Sequence, residues 1–526
     1  MSAPTIVITE KDLSQTVPGF PGVYGLMLVP SKFGSEEPTL VSSQTDYLNK
    51  FTLDGKVHIG ETLTHFSALA FLEKSNKLWV KRVTNGALYG GVLVSSGQDI
   101  DGDGSVDSTK GLTSGVSSPT DVSFGNDHVF AVLGSNRGAW NNRLSIKITN
   151  YSTNPDLVKL PNAFLLEVLL DGKPVESWVL SRNPEAKDGY GNNIYVESVN
   201  GKSRYIQIVD NIAVDSSINP EDITTPVSLS GGDDGNPVTD AQMVQALQEF
   251  KDADSYPVTV LMDGGWSTPA YQRELISIAE EREDCVAILS VPIDKQNSVN
   301  DIVDYVTKEL NNPSSYGAVY VSHVKVLDRF NNREIYVDPT GFVGAVISQT
   351  ATNQEIWYAP AGWNRGKLNV LDVYKRFTKA EQDYLYDNNV NFIKFKPGMG
   401  IAIFGQKTLQ RIPSALDRLN VRLLLVALKP AIKRMLESFF FEFNDEETRY
   451  RVRTILSSYL EEVKAKRGIY DYYVKCDEEN NTPQVIDNNE LEVWIFIKPM
   501  RVVEYIKVPL TLSSTGVNFG EITIGG

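Results

Sequence analysis

Phe404-Gly-Gln-Lys-Thr-Leu409 opens the stretch that decides the fold, and it continues through Asp417-Arg-Leu-Asn-Val-Arg-Leu-Leu-Leu-Val-Ala-Leu-Lys429 as far as Leu510. Leu416, Leu419, Leu423 and Val426 recur at helical spacing, so a helix is expected from Asp417 to Phe441, bent at Pro430. Its other side carries Arg418, Arg422, Lys429 and Lys433 along one stripe. That stripe reads either as a solvated face or as a surface that docks on an acidic partner. A second helix is expected after Asn444, which is placed to cap it. Glu447 follows as in a capping box, and Glu446 puts further negative charge where the helix dipole favours it. Val452, Ile455, Tyr459 and Val463 form its expected buried stripe, and Gly468 is the residue type suited to the left-handed position that closes a helix. Tyr470-Asp-Tyr-Tyr-Val-Lys-Cys476, Leu491-Glu-Val-Trp-Ile-Phe-Ile497 and Glu504-Tyr-Ile-Lys-Val-Pro-Leu510 then run as strand patterns. The order is helix, helix, antiparallel sheet.

The chain of 526 residues exceeds a single core and is expected to hold about three or four domains. With 41% apolar and 22% charged residues it has the composition of an ordinary globular protein. A net charge of −16 argues against wrapping nucleic acid or adhering to anionic lipid, since both need a positive surface. Cys285 and Cys476 lie far apart in strand-like runs, which points to free thiols in a reducing cytoplasm. The first residues lack the pattern of a secretory signal, and no apolar run approaches the ~20 residues needed to span a bilayer. Assembly in a cytoplasm without membrane insertion is the expectation.

In chain order, Thr5-Ile-Val-Ile-Thr9 is a short strand pattern cut off by Pro18-Gly-Phe-Pro-Gly22. Residues 23–90 read as strand, helices and strand. Residues 91–125 turn rich in Gly, Ser and Asp, and Asp99-Ile-Asp-Gly-Asp-Gly-Ser-Val-Asp107 within them sets Asp99, Asp101, Asp103 and Asp107 around Gly104. Clustered carboxylates about a tight glycine turn are what calcium requires, although Lys110 stands where a bidentate glutamate belongs. The loop is therefore either a calcium site or a solvated acidic turn. From His128 a β-rich half runs to Val209, and from Thr239 strands alternate with helices to Val321, which implies a parallel sheet. Residues 126–339 are expected to form one mixed α/β insertion domain. Val517-Asn-Phe-Gly-Glu-Ile-Thr-Ile524 is again a strand pattern set apart by Ser513-Ser-Thr-Gly516.

Seven segments, taken together, resemble the contractile tail sheath proteins of myovirus-type bacteriophages. They are Phe404–Leu409, Arg418–Arg422, Phe441-Glu-Phe-Asn-Asp445, Asn481-Thr-Pro-Gln-Val-Ile-Asp487, Ala359-Pro-Ala-Gly-Trp-Asn-Arg-Gly366, Leu229-Ser-Gly-Gly-Asp-Asp-Gly235 and Gly138-Ala-Trp-Asn-Asn142. Phe443 stands where the family usually has Pro, and Asn141 where it usually has Gly. The resemblance implies a mixed α/β multidomain (α+β) fold. Its sheath-type core joins residues 18–90 with 340–512, 91–125 is a small insertion, and residues 1–17 and 513–526 are strand arms. It also implies a helical array of many copies around an inner tail tube protein, ending at baseplate and tail terminator proteins, in the virion. Thr5, Ile6, Val7, Ile8 and Thr9 with Gly520, Glu521, Ile522, Thr523 and Ile524 would pair with neighbouring subunits, and Arg418, Arg422, Lys429 and Lys433 would face the tube.

Catalytic chemistry is not legible. His58, His65, His128 and His323 lack metal-ligand spacing, and Asn200-Gly-Lys-Ser203 lacks the first glycine of a phosphate loop. Asp233 and Asp234 fall in a turn, where Asp is favoured for backbone reasons. The expectation is a structural subunit, not an enzyme, with no cofactor required and calcium the one candidate. The alternative is a calcium-dependent carbohydrate-binding or carbohydrate-processing virion protein centred on the Asp99–Asp107 loop.

Overall fold

A computed structural model describes residues 21–152, 160 and 162–508. The chain forms two compact units, divided between Phe440 and Phe441. The expected arm strands Thr5–Thr9 and Gly520–Ile524 lie outside the described residues.

The first unit is built on short apolar runs. Gly25–Val29, Val260–Met262, Val286–Ser290 and Gly317–Val321 are buried at every residue. Segments apolar on both faces are satisfied within a parallel sheet covered on both sides. They form the centre of a nine-stranded sheet in the order Lys367–Leu368, Gly400–Phe404, Val390–Lys396, Gly317–Val321, Val286–Ser290, Val260–Met262, Gly25–Val29, Leu78–Arg82, Thr39–Val41. From Val390–Lys396 to Leu78–Arg82 neighbours run parallel, and the strands outside them are antiparallel. Helices Asp240–Leu247 and Pro269–Arg282 bury Met243, Leu247, Tyr271 and Leu275 in the core with Leu26, Leu261 and Leu289. Helix Thr64–Leu72 packs against helix Thr340–Asn353, where a side chain at Gly341 would run into the Ser67 carbonyl.

This pairing redraws the expected domains. Gly25–Val29 bonds Leu78–Arg82 on one side and Val260–Met262 on the other, so residues 260–321 belong to the main sheet and not to an insertion spanning 126–339. The proposed union of 18–90 with 340–512 is divided as well, because residues from Phe441 form their own unit. Residues 91–125 are no separate insertion either: Gly91–Ser95 and Lys110–Gly111 are strands of a sheet with His128–Gly134 and Ile206–Asp210. A second sheet orders Ile223–Ser228, Leu144–Asn150, Ala163–Leu170 and Lys173–Ser181. The two sheets share one core, in which the rings of Phe130 and Phe164 stack at 5.6 Å. Bridges Asn85↔Gly235, Leu88↔Asp233 and Gly91↔Ser230 bring the entering and leaving strands of this sandwich side by side.

In the second unit, helix Glu446–Ala465 packs on an antiparallel ribbon of Ile469–Lys475 and Trp494–Pro499. Its cap is Asp445, whose carboxylate accepts the Thr448 N–H at 2.8 Å. Asn444 instead donates to the Glu490 carbonyl. The buried row is Val452, Leu456, Leu460 and Val463, with Ile455 and Tyr459 half-buried. Both rows have helical spacing, so periodicity alone does not choose between them. The helix closes one residue earlier than expected: Arg467 takes the left-handed conformation (φ 63°), and Gly468 N–H returns to the Val463 carbonyl at 2.8 Å. Residues 504–508, the described part of the third strand pattern, form no strand.

Candidate functional site

Within the first unit, three of the quoted segments converge at the start of the long helix Leu419–Glu437. The Leu419 N–H donates to the Gln406 carbonyl at 2.7 Å, Thr408 Oγ1 to the Leu416 carbonyl at 2.8 Å, and Leu409 N–H to the Gly317 carbonyl at 2.8 Å. Asn391 locks the turn by donating to the Lys407 carbonyl and accepting the Lys407 N–H, both at 2.7 Å. Arg365 donates to the Ala359 carbonyl at 2.8 Å, and Trp363 packs its ring 5.4 Å from Phe404. These residues tie the helix to the edge of the main sheet and so position it.

The expected cationic stripe is divided by the fold. The helix runs continuously through Pro430 and starts after Arg418, its N-cap residue, which lies 3.0 Å from Asp417. Arg422 is buried, bonded to Ser315 and stacked 3.9 Å over the Tyr316 ring, so it cannot face a tube. Desolvation lowers its pKa. Lys429 and Lys433 turn towards their own chain, 2.8 Å from Glu283 and 3.7 Å from Asp254, while remaining partly open to solvent.

The two upstream segments meet where the sandwich joins the main sheet. Asn142 exchanges hydrogen bonds with Gly232, donating to its carbonyl at 2.8 Å and accepting its N–H at 2.9 Å. Asp234 accepts the Ala139 N–H at 2.8 Å, and Asp233 that of Gly235 at 2.6 Å. Asn141 is buried in space left by Gly90, Gly134 and Gly232, and accepts the Gly90 N–H at 2.8 Å. The departure at Asn141 thus supplies a side-chain link between linkers.

The acidic loop brings ligand atoms of Asp99, Asp101 and Asp103 within 4.8 Å of one another, all three exposed. Asp107 stands apart, its carboxylate 3.8 Å from His128. Backbone N–H groups of Gly104 and Gly102 donate to Asp99 and hold its pKa below the usual carboxylate range. Asp127, which no motif marked, is buried and clips the loop shut by accepting the N–H groups of Ile100 and Asp107.

Beneath the carboxyl ends of the parallel strands lies a buried polar network. Asp263 accepts from Gln272 at 2.6 Å and from the Ser290 N–H at 2.7 Å, while Asp338 accepts from Thr340 and Ser67. Burial, with the Asp338 charge adding to it, pushes Asp263 up to about 7. Burial takes His323 down to about 4; its Nδ1 accepts from Gln296 at 2.9 Å. His65, paired with the Tyr47 hydroxyl, is likewise lowered to about 4 by burial. His58, by contrast, is exposed beside Asp54, and His128 accepts the Gly125 N–H. Cys285 and Cys476 are free and buried, and desolvation raises both thiols.

In the second unit Asn481, the first residue of one family segment, is buried and holds the Asp477 and Glu492 carbonyls and the Glu492 N–H. It thereby fixes the return of the chain into the ribbon. One ribbon face is covered by the helix; the other exposes Tyr473 against Phe496, rings 6.2 Å apart, and Trp494. Among the described residues no further strand joins either ribbon edge. Residues 501–508 leave it with Val503, Tyr505, Ile506 and Val508 each at least 70% exposed.

The fold is shared with solved sheath proteins. The sheath tail protein of Listeria innocua superposes with a TM-score of 0.57 at 12% identity, covering 91% of this chain and 95% of that one. The helical sheath of the anti-feeding prophage in its contracted state does so with a TM-score of 0.52 at 14% identity, covering 98% and 100%. Residues 236–409 match the phage tail sheath protein central domain and residues 413–512 the phage tail sheath C-terminal domain, together just over half of the chain. The tail sheath protein of Enterobacteria phage T4 is 32% identical over 372 residues, 66% of this chain and 56% of that protein. The chain belongs to the phage tail sheath family. It spans a little over half the length of the curated relatives it matches.

Proposed function

We propose that this chain is the subunit of a contractile tail sheath, polymerised helically around an inner tail tube in a virion and shortening to drive the tube through the host envelope. The observation that carries the reading is the unfinished ribbon of the second unit. A two-stranded sheet is marginal alone and gains stability when further strands pair with its edges. Exposed Val503, Tyr505, Ile506 and Val508 lead directly out of it, apolar groups that a partner sheet would cover. Strand patterns at Thr5–Thr9 and Gly520–Ile524 supply two donors per copy. Pairing each copy to the next is a head-to-tail contact, which builds an open helix in place of a closed ring. Such a mesh survives rigid-body rotation of subunits, so contraction draws on a metastable assembly and needs no catalytic residues or nucleotide.

Of the four cations assigned to the tube, Lys429 and Lys433 keep enough exposure for that role and Arg422 does not. Baseplate and terminator proteins would cap the array, with assembly in the host cytoplasm. Calcium has no required part; the Asp99–Asp101–Asp103 cluster is where it would bind.

Electron microscopy of the purified protein at raised concentration tests the reading. Hollow cross-striated tubes are expected from the full chain, and soluble folded monomers from chains lacking residues 1–17 or 513–526. Normal tubes from either truncation would remove strand exchange from the account.

A further inference from the structure

Beside the long helix runs a groove of about 690 Å³, within the range of clefts that bury apolar groups. Buried Val258, Val426 and Ala427 line it, and Pro257, Pro430 and Ile432 stand along it. Two of its cations are paired within the chain, Lys429 with Glu283 and Lys433 with Asp254. Arg434 and Glu437 also line it, and neither has an ion-pair partner among the described residues. Arg434 donates through Nε to the Pro430 carbonyl at 3.2 Å, which leaves the outer end of its guanidinium for another acceptor. A few residues further on, Phe440, Phe441 and Phe443 are each at least 70% exposed. Phe441 holds the left-handed conformation (φ 68°), an outlier for so bulky a residue and of a kind that clusters where a segment makes functional contacts. Glu442 stands between the rings of Phe441 and Phe443 in sequence and has no ion pair among the described residues.

We propose that Phe441 and Phe443 of one copy of this chain seat in the groove of a second copy, with Glu442 meeting Arg434 there. The segment supplies what the groove leaves open: two rings for its apolar lining and an anion for its unpaired cation. Glu437 is exposed and keeps its water, and Lys429 and Lys433 stay on the rim. Within one chain the rings stand in solvent, so they do not fill their own groove. Rings and groove are different surfaces, so each copy receives one neighbour and enters another, a head-to-tail contact. It uses neither end of the chain and does not rest on the strand exchange proposed above.

Disulfide trapping between two full-length variants tests the contact. Cys285 and Cys476 are buried, so the introduced thiols are the ones that react. A Phe443→Cys chain mixed with an Ile432→Cys chain and oxidised should give the peptide linked between positions 443 and 432, read by mass spectrometry. It should form about tenfold or more faster than the link from Tyr190→Cys, a 95% exposed position, to the same Ile432→Cys chain, because docking raises the local concentration of the two thiols. Adding Arg434→Glu to the Ile432→Cys chain should bring the rate down to that control, and adding Glu442→Arg to the Phe443→Cys chain as well should restore it. An unchanged thermal transition checks each variant, and Phe441→Cys replaces Phe443→Cys if that one alters it. Equal rates for the two mixtures would overturn the proposal. So would a fast rate that Arg434→Glu leaves unchanged, because Glu442 would then not face Arg434. Fast trapping in a protein that forms no tubes would uphold the contact and remove the sheath reading; tubes with trapping at the control rate would do the reverse.

Discussion

In the second sheet of the sandwich the outer strands Lys173–Ser181 and Ile223–Ser228 carry Pro174 and Pro226 inside them, whereas in the ribbon proline occurs only at the last residue, Pro499, although both have a register shift. Proline removes a ladder donor from an edge that a would-be partner must bond. The sandwich also buries both inner faces, while the ribbon leaves Tyr473, Trp494 and Phe496 in solvent. Two antiparallel sheets of similar local chemistry are thus finished differently. Proline blunts the first as an edge, and on the reading proposed above the second would receive a strand from another copy.

Truncating one aromatic in each region, buried in the first and exposed in the second, sharpens that contrast most. Phe130→Ala should cost about 3–5 kcal/mol, because Phe130 is fully buried on Phe164. Phe496→Ala, at a 56% exposed site, should cost under about 1 kcal/mol in the free subunit and act instead by raising the concentration needed for tubes. Denaturant titration of each variant, with sedimentation of the second, separates the effects. A cost at Phe496 equal to that at Phe130 would show the ribbon already complete.

A smaller effect comes from pH, and it should be confined to the first unit. The raised Asp263 carboxyl contributes stability that is present at low pH and lost as pH rises through about 7. The depressed His323 contributes stability that is present above its unfolded pKa near 6.5 and lost as pH falls towards about 4. The two slopes oppose one another across most of that window. Asp263→Asn removes one, so its melting temperature should fall more steeply than that of the parent between pH 6.5 and 4. Parallel pH curves would show that Asp263 is not the balancing group, and hydrogen exchange should show the ribbon unit unaffected.

The smallest change is Arg467→Gly. A non-glycine residue in the left-handed conformation costs about 1 kcal/mol or more, so the variant should stabilise the second unit by up to that amount. A loss of stability would mean that the Arg467 side chain makes a compensating contact.

The class of the main sheet was legible because Val286–Ser290 and Gly317–Val321 are apolar throughout, a pattern that separates parallel from half-solvated strands wherever it occurs. Helix Pro269–Arg282 falls within the alternation of strands and helices, and the structure shows Thr268 capping it and Pro269 at its first position. The seven family segments were readable in order, yet their roles were not: that Gly138–Asn142 and Leu229–Gly235 meet at the base of the sandwich showed only when Asn142 bonded Gly232.

By itself the sequence determined what local chemistry can specify: the alternation of strands and helices, and the family. Tertiary structure alone decided which strands share a sheet, since Gly25 pairs with Val260 across more than two hundred residues that local periodicity cannot see. It also decided that Arg422 is buried although it lies on a polar stripe, because Ser315 and Tyr316 happen to cover that turn of the helix. The same reason governs residues 504–508: a strand pattern is a local property, but a strand exists only where another backbone bonds to it. Within this chain, among the described residues, that backbone is not provided.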